Sequence, residues 1–556
     1  MESVDVEPGK HTQKKRVAII GAGLSGLVAC KECLSEGTDG GVEIVPEVFE
    51  TRPEIGGQWA YQAAPDKATG ELHSSIYDGV VLNSCRDTTG FSDFPIDPAR
   101  HGDYFSHWQM HQYLLEYADH FKLHPHIRLS TKILRCVPDR SSDDGADEHD
   151  DDKGTTWTVT FQGPNDKEPQ QRTYDAVISA IGYNTIPLVP DFKGLKDNFK
   201  GEFLHTHYYR RPGRFEGQRV ALIGAGSSAI DIACELTAAG CREVHLVTRR
   251  GTWVIPRYVL GKPVEAWDNR ATQIWMPGRL GEWLQQKLLD VVQGPHPDEL
   301  KPKHRLMQQN PPTIRSEFLE RVNTGLVKVH RADVDGFEGD HTLVLSDGTR
   351  LEDLDTVMSC TGYHRTQPHL PADVLRGDSD NEDDDSINLY KLVVPQRYRN
   401  LYFVGMSEQP GPAPPAAEAQ ARYVVSAIAG HHCPPRGPAL AAAIRQEQAW
   451  RRASFVASPR HANAESYVPF LDNLLAPLGA NPTMGRLLAP RLLLRNGGLL
   501  DGLRCLGAVY FDVTSNAQWR LCGRGANPAL AAATILRTAR GDKEFSKREK
   551  ELLGIK

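Results

Sequence analysis

The chain has 556 residues, 40% of them hydrophobic and 24% charged, with a formal net charge of −7. That length exceeds what one core supports and sets an expectation of two or three domains in a soluble, globular protein. No run of about eighteen apolar residues occurs, and MESVDVEPGKHTQKKR lacks the apolar centre of a signal peptide, so a cytoplasmic protein without a membrane anchor is expected, with residues 1–14 flexible.

The first patterned segment is VAIIGAGLSGL from Val17. A short Val/Ile run reads as a buried parallel strand, and Gly21, Gly23, Ser25 and Gly26 form a tight turn into a helix whose first amides can hold a pyrophosphate. The helix carries Cys30 and Cys33, but no second pair completes a zinc site and no dithiol motif of a disulfide reductase is present, so buried thiols and no metal are expected. A second strand then ends in Glu50, whose carboxylate can accept a ribose 2′-hydroxyl, which suits the adenosine of FAD.

EIGGQWAY follows, where Gly56 and Gly57 permit a close backbone turn before Gln58, and Trp59 offers a flat apolar face. In VVLNSCRDTTGFSDFP, Asn83 ends an apolar run; it is either a turn former or an amide at the edge of an isoalloxazine ring. Seven acids and one base between Asp143 and Lys153, and six acids between Asp378 and Asp385, interrupt otherwise mildly basic sequence and read as solvated loops.

Strand patterning returns at TTWTVTFQ and at YDAVISAIGY, ending at Tyr183, and LDTVMSCTGY, ending at Tyr363, echoes the latter. Between these echoes lies FKGEFLHTHYYRRPGRFEG, whose His205 and Tyr209 are either a surface pair or an interdomain contact. Then VALIGAGSSAI begins at Val220, with Gly224, Gly226, Ser227, Ser228 and Ala229 repeating the first loop. Its second strand, EVHLVTRR, ends in Arg249 and Arg250 where the first copy has a carboxylate, and guanidinium groups there suit the 2′-phosphate of NADPH.

The order of motifs predicts an α/β fold of two Rossmann-like dinucleotide-binding domains. An NADPH domain over 187–355 is inserted into a discontinuous FAD domain of 15–186 and 356–556. After NPPTI at Asn310, the strands of LVKVHRADVDGF and HTLVLSDGTRLEDLD would close the insert, with a turn at SDG. From Asn400 the chain continues through NLYFVGM, a Pro-rich bend, an amphipathic helix from Ala416, and a helix-rich C-terminal part that includes the Arg- and Leu-rich stretch from Arg486 to Leu506.

These motifs, in this order, resemble the class B flavin-containing monooxygenases: GAGLSG, Glu50, the GG-Q-W turn, LNS…FSDFP, the linker Phe199-Gly201-His205-Tyr209, GAGSSA, TRRGTWVIPR, the two Gly-Tyr crossovers, and NLYFVGM…AEAQAR from Asn400 to Arg422. The resemblance implies bound FAD reduced by NADPH and a hydroperoxide formed from O₂ at flavin C(4a), which oxygenates a nucleophilic N or S of a small molecule. It also implies a flavin-contacting role for Asn83, a 2′-phosphate role for Arg249, and a cofactor-side role for Gln420. Leu82 and Cys85-Arg86-Asp87 depart from the family pattern at the flavin edge. Tyr209 and AYQAAP differ from the Trp and aromatic-Pro-Gly turn of Baeyer–Villiger relatives, which favours heteroatom oxygenation over ketone insertion. A third class, an NADPH-binding flavoprotein sensor or oxidase without a dedicated substrate, would release peroxide with no stimulation by amine or thioether. Homo-oligomers are compatible with all three readings.

Overall fold

Val17, Ala18 and Ile19 have no exposed surface, which a strand achieves only when it is paired on both edges and covered on both faces. The strand Gln13–Ile20 pairs in parallel with Val42–Phe49 on one side and Ala176–Ser179 on the other, and Leu401–Phe403 and Ile127–Arg128 complete a five-stranded sheet. The computed structural model describes residues 13–555 except 37–40, 68–69, 140–154, 277, 303–311, 377–386, 457–461 and 490–497. Both acidic runs, Asn310 and part of the Arg/Leu-rich stretch therefore lie outside the described residues. Gln13 and Lys14 belong to the first strand, so the segment expected to be flexible through residue 14 gives way to strand two residues earlier.

A second five-stranded parallel sheet repeats the arrangement around Arg219–Ile223, with Glu243–Val247 and then Val327–His330 on one side and Thr356–Ser359 and Glu202–His205 on the other. In each sheet the central strand runs into a glycine loop at the point where strand order reverses, the switch point at which open α/β sheets bind ligands. The chain passes from the first sheet to the second beside a short antiparallel ribbon, Ile186–Pro187 against Tyr363–His364.

This pairing corrects the second expected boundary. Thr356–Ser359 was expected to open the returning FAD part, but it lies beside Arg219–Ile223 inside the second sheet, so the return comes at the ribbon near residue 363. The apolar run TVMS is buried on both faces and can satisfy that burial only within a sheet.

The SDG turn joins Thr342–Leu345 to Arg350–Leu351, in a three-stranded antiparallel sheet with Val334–Glu338. The helix expected from Ala416 spans Ala413–Ile428, with Pro414 and Pro415 in its first turn, where a missing N–H costs nothing. Helices Gly437–Ser454, Tyr467–Leu475, Leu499–Phe511, Pro528–Arg540 and Lys547–Leu553 make up the C-terminal part. Among the described residues no helix is long and apolar enough to cross a membrane.

Buried charge fastens the C-terminal part to the first domain. Arg520 reaches Glu418 at 2.7 Å and Asp93 at 3.3 Å and also pairs with Glu32, while Lys31 pairs with Asp93. Glu32, Asp93 and Glu418 converge closely enough to hold a metal ion, but the guanidinium of Arg520 occupies their centre. Burial alone would raise Glu32, yet the charges of Arg520 and Lys31 hold it down at about 2. All ten cysteines are free thiols, and burial pushes Cys30 up to about 12, the opposite of an activated redox thiol.

Candidate active site

The first glycine loop is shaped by close backbone approach. Gly21 has φ of 101°, and a Cβ there would lie 2.8 Å from the carbonyl oxygen of Ala180. Gly26 packs against the Gly21 carbonyl so tightly that any side chain would push the helix off the strand. Gly23 faces Gly57 across the turn; a Cβ on Gly57, whose φ is 54°, would lie 2.8 Å from the Cα of Gly23. The two glycines let these backbones meet closely beside the helix N-terminus, whose free amides are the kind of surface that a phosphate-linked cofactor requires.

Glu50 braces this close approach. Its carboxylate accepts the N–H of Ala22 at 2.8 Å and of Arg52 at 2.9 Å. Arg52, which sequence reasoning missed, donates to the carbonyls of Gly57 at 3.1 Å and Ala60 at 2.7 Å and so fixes the GG-Q-W turn. Gln58 is anchored through its side chain to Ser75. Ser25 is buried against Gly405, and Gln420, with no exposed surface, accepts the Gly405 N–H at 2.7 Å and donates to the Leu392 carbonyl at 3.4 Å. Both polar groups of Gln420 are thus spent on backbone, so it supports the loop after Leu401–Phe403.

The second loop repeats the geometry: a Cβ on Gly224 would lie 2.6 Å from the Cys360 carbonyl, and Ala229 is fully buried at the position equivalent to Gly26. Gly226 precedes the helix Ser227–Ala238 as its N-cap, and Ser228 is exposed in the first turn. Arg249 and Arg250 are exposed just beyond the strand Glu243–Val247, and Arg249 lies 3.6 Å from Asp333.

Elements of both domains meet at a cavity of about 400 Å³ lined by Trp59, Leu82, Asn83 and Met110 from the first, Ser227, Ile255, Glu265 and Asp268 from the insert, and the Pro-rich segment from Glu408 to Pro414. Of the residues expected at the site, the structure brings Trp59, Asn83 and Ser227 together on these walls. Glu50, Arg249, Arg250 and Gln420 lie away from them. The Oδ1 of Asn83 is enclosed and has no hydrogen-bond partner, and neither has the Oε1 of Gln409 on the same wall. Enclosed acceptors of this kind are uncommon and fit donors supplied by a bound ring or amide.

The insert contributes the acids that sequence reasoning also missed. Glu265 accepts the Tyr104 hydroxyl and the Cys85 N–H, and burial raises its pKa. Burial pushes Asp268 up to about 6, aided by the neighbouring charge of Glu265. Their signal was too weak to read locally, since Glu265 meets its partners only after some 160 to 180 residues of intervening chain have folded.

His205 and Tyr209 are both buried rather than a surface pair. Tyr209 donates to Glu235 at 2.7 Å inside the core of the second domain. His205 accepts the His207 N–H on Nδ1 at 3.0 Å and meets the ring of Tyr363 at 5.3 Å; burial and the adjacent His207 hold it down at about 4. Arg210 completes the interdomain seam with bonds to the carbonyls of Gln62 and Ser74, each 2.7 Å.

A family model described as flavin-binding monooxygenase-like matches residues 14–552. The chain is 31% identical over 484 residues to flavin-containing monooxygenase 5 of Homo sapiens, covering 85% of this chain and 84% of that protein. It is 28% identical over 527 residues to dimethylaniline monooxygenase [N-oxide-forming] 2 of Macaca mulatta, covering 92% and 89%. Among solved structures, S-allyl-L-cysteine S-oxygenase from Allium sativum superposes with a TM-score of 0.60 at 22% identity, over 84% of this chain and 89% of that one, which shows a shared fold. Two glycine loops on paired parallel sheets, a cavity walled by both domains, and a match from residue 14 to residue 552 agree: the chain belongs to the flavin-binding monooxygenase-like family, an enzyme family whose expected cofactors are FAD and NADPH.

Proposed function

We propose that this enzyme uses NADPH and O₂ to oxygenate a nucleophilic nitrogen or sulfur atom of a small organic molecule. The observation that carries the reading is the sharing of one cavity by Asn83, whose Oδ1 lacks a partner, and Ser227 of the second glycine loop. FAD would be held by the Gly21–Gly26 loop, the Gly56–Gly57 turn and Glu50, and NADPH by the Gly224–Ala229 loop with Arg249 and Arg250. When bound, FAD supplies the redox centre that takes a hydride from NADPH and activates oxygen.

The chain's own residues then have three tasks. The Asn83 amide accepts and donates at the ring edge, fixing the position of a proton there. Ile255, Val259, Leu288 and Ile314 exclude water from the cavity, which protects a reactive oxygen species from discharge as peroxide. The Glu50 and Arg52 brace keeps the turn carrying Trp59 in register with the first loop.

The test is to supply the purified enzyme with NADPH and, separately, a thioether, a tertiary amine and a cyclic ketone. Sulfoxide or N-oxide formation with NADPH consumed in step supports the proposal. Lactone as the sole product would replace it with Baeyer–Villiger chemistry, and unstimulated NADPH oxidation releasing only peroxide would point to a sensor or oxidase. Asn83→Ala is expected to shift consumption toward peroxide by about tenfold or more, the scale of one lost active-site hydrogen bond.

A further inference from the structure

The cavity is charged in one sense only. Glu265, Asp268 and Glu408 line it, and among the described lining residues none is basic. Two of the three acids are already answered: Glu408 by Arg365 at 3.5 Å, and Glu265 by the Tyr104 hydroxyl and the Cys85 N–H. Asp268 has a single neutral donor, the side-chain amide of Gln273, beside the negative charge of Glu265, and among the described residues no cation pairs with it.

Asp268 does not cap the helix that follows it. The helix Arg270–Trp275 is capped by the next residue, Asn269, whose side chain accepts the Thr272 N–H at 3.0 Å. Asp268 is half-buried on the cavity wall, and a carboxylate so placed without a counter-ion fits a cation that arrives with a ligand.

A second observation points to the same ligand chemistry. Gln409, on the cavity wall, is 8% exposed; its amide N–H donates to the Pro412 carbonyl at 3.2 Å, and its buried Oε1 has no donor. Trp59 and Trp267 add indole faces to the wall, and such faces attract organic cations. Acceptors, aromatic rings and an uncompensated acid call for a ligand rich in donors and positively charged, with an apolar remainder to match Val259, Leu288 and Ile314.

We infer that Asp268 recognises the substrate, selecting two-headed small molecules whose ammonium group pairs with its carboxylate while a separate thioether sulfur or tertiary amine is presented for oxygenation. An ammonium nitrogen has no lone pair to give, so the atom that Asp268 holds differs from the atom that reacts. The inference rests on the monooxygenase reading above. Loss of a desolvated charge pair of this kind changes affinity by about tenfold to hundredfold.

The experiment titrates the full-length, FAD-loaded, NADP⁺-bound enzyme in a calorimeter with 2-(methylthio)ethylammonium, with its neutral isostere methyl propyl sulfide, and with 3-(methylthio)propanoate. The cation is expected to bind about ten times or more tighter than the neutral sulfide, with the anion weakest. Asp268→Asn is expected to bring cation and neutral ligand to equal affinity. Equal binding of both by the unaltered enzyme, or a preference that survives in Asp268→Asn, overturns the inference. Asp268→Ser provides a second variant, and the ligand series on the unaltered enzyme decides the matter alone if neither variant folds. Turnover separates the two readings: a cation that binds preferentially but gives no sulfoxide counts against the oxygenation reading, whereas equal sulfoxidation of cation and neutral sulfide counts against Asp268.

Discussion

Glu265 in the inserted domain accepts the backbone N–H of Cys85 in the flanking domain at 2.8 Å, so one carboxylate caps the entrance of the short helix Arg86–Thr89 from across the domain seam. Its other oxygen takes the Tyr104 hydroxyl at 2.7 Å, again from the flanking domain. The seam is therefore polar and specific: the Cys85 N–H depends on this one side chain, and the Tyr104 hydroxyl shares it with the Arg257 carbonyl at 2.6 Å.

Glu265→Ala leaves the Cys85 N–H unanswered, while the Tyr104 hydroxyl keeps the Arg257 carbonyl at 2.6 Å, and is expected to cost about 1–3 kcal/mol of stability. Glu265→Gln keeps an acceptor and should cost less. Thermal unfolding followed with bound flavin checks this, and an alanine variant that melts with the unaltered enzyme would refute the bracing role.

Arg249 stands 3.6 Å from Asp333, and both side chains are more than half exposed. Arg249→Ala is expected to raise the KM for NADPH by about tenfold to hundredfold while leaving NADH unchanged, the value of a charge-assisted phosphate contact. Asp333→Asn removes a competitor for the guanidinium and should move NADPH preference a few-fold the other way, an effect that fades in high salt. Parallel kinetics with the two nucleotides at two ionic strengths measure both. Identical NADPH-to-NADH ratios in all three proteins would exclude Arg249 from phosphate binding.

Much of this arrangement was legible because steric exclusion writes itself into sequence. Gly21 and Gly224 meet the carbonyls of Ala180 and Cys360 in the same way, and no other residue type could occupy either place. The echo of YDAVISAIGY in LDTVMSCTGY was also legible, but its meaning is that each copy lies beside the central strand of its own sheet, at Val17↔Ala176 and at Val220↔Thr356. Taking the second copy as the start of the returning domain placed the boundary one strand too early. Arg52, Glu265, Asp268 and Gln409 left no periodic signal, since each acts through backbone carbonyls, amides or cavity walls assembled from distant segments.

Arg520 is expected to be the least replaceable ionic residue outside the site. Arg520→Met leaves Glu32, Asp93 and Glu418 converging in the interior with Lys31 paired to Glu32 and Asp93, and breaking such a cluster from one side costs about 3–5 kcal/mol. Glu32 is held at about 2 against an ordinary 4.5, so its contribution is complete above 4.5 and disappears as pH falls through about 2. In acid titrations followed by circular dichroism, the variant should unfold at a higher pH than the unaltered protein. Coincident curves would show that the cluster adds nothing.

Five histidines, four of them buried and His432 half-buried, act earlier in the same titration. Burial holds His205, His245, His296, His369 and His432 at about 4 against an ordinary 6.5. Their folded pKa values lie below the unfolded ones, so between those limits the unfolded chain binds more protons and stability decreases as the pH is lowered. Melting temperatures measured from neutral pH down to about 4 should drop progressively across that window. A flat profile would mean that these rings are already solvated in the native protein.

The ribbon of Ile186–Pro187 and Tyr363–His364 sets Pro187 opposite Tyr363, so the two ends of a 175-residue excursion emerge as neighbouring rungs of one ladder. A two-residue hairpin turn can span such a pair. Geometrically the inserted unit is a cassette: it could be cut out and the strands rejoined, or another nucleotide module spliced in, without stretching the sheet that carries the first glycine loop.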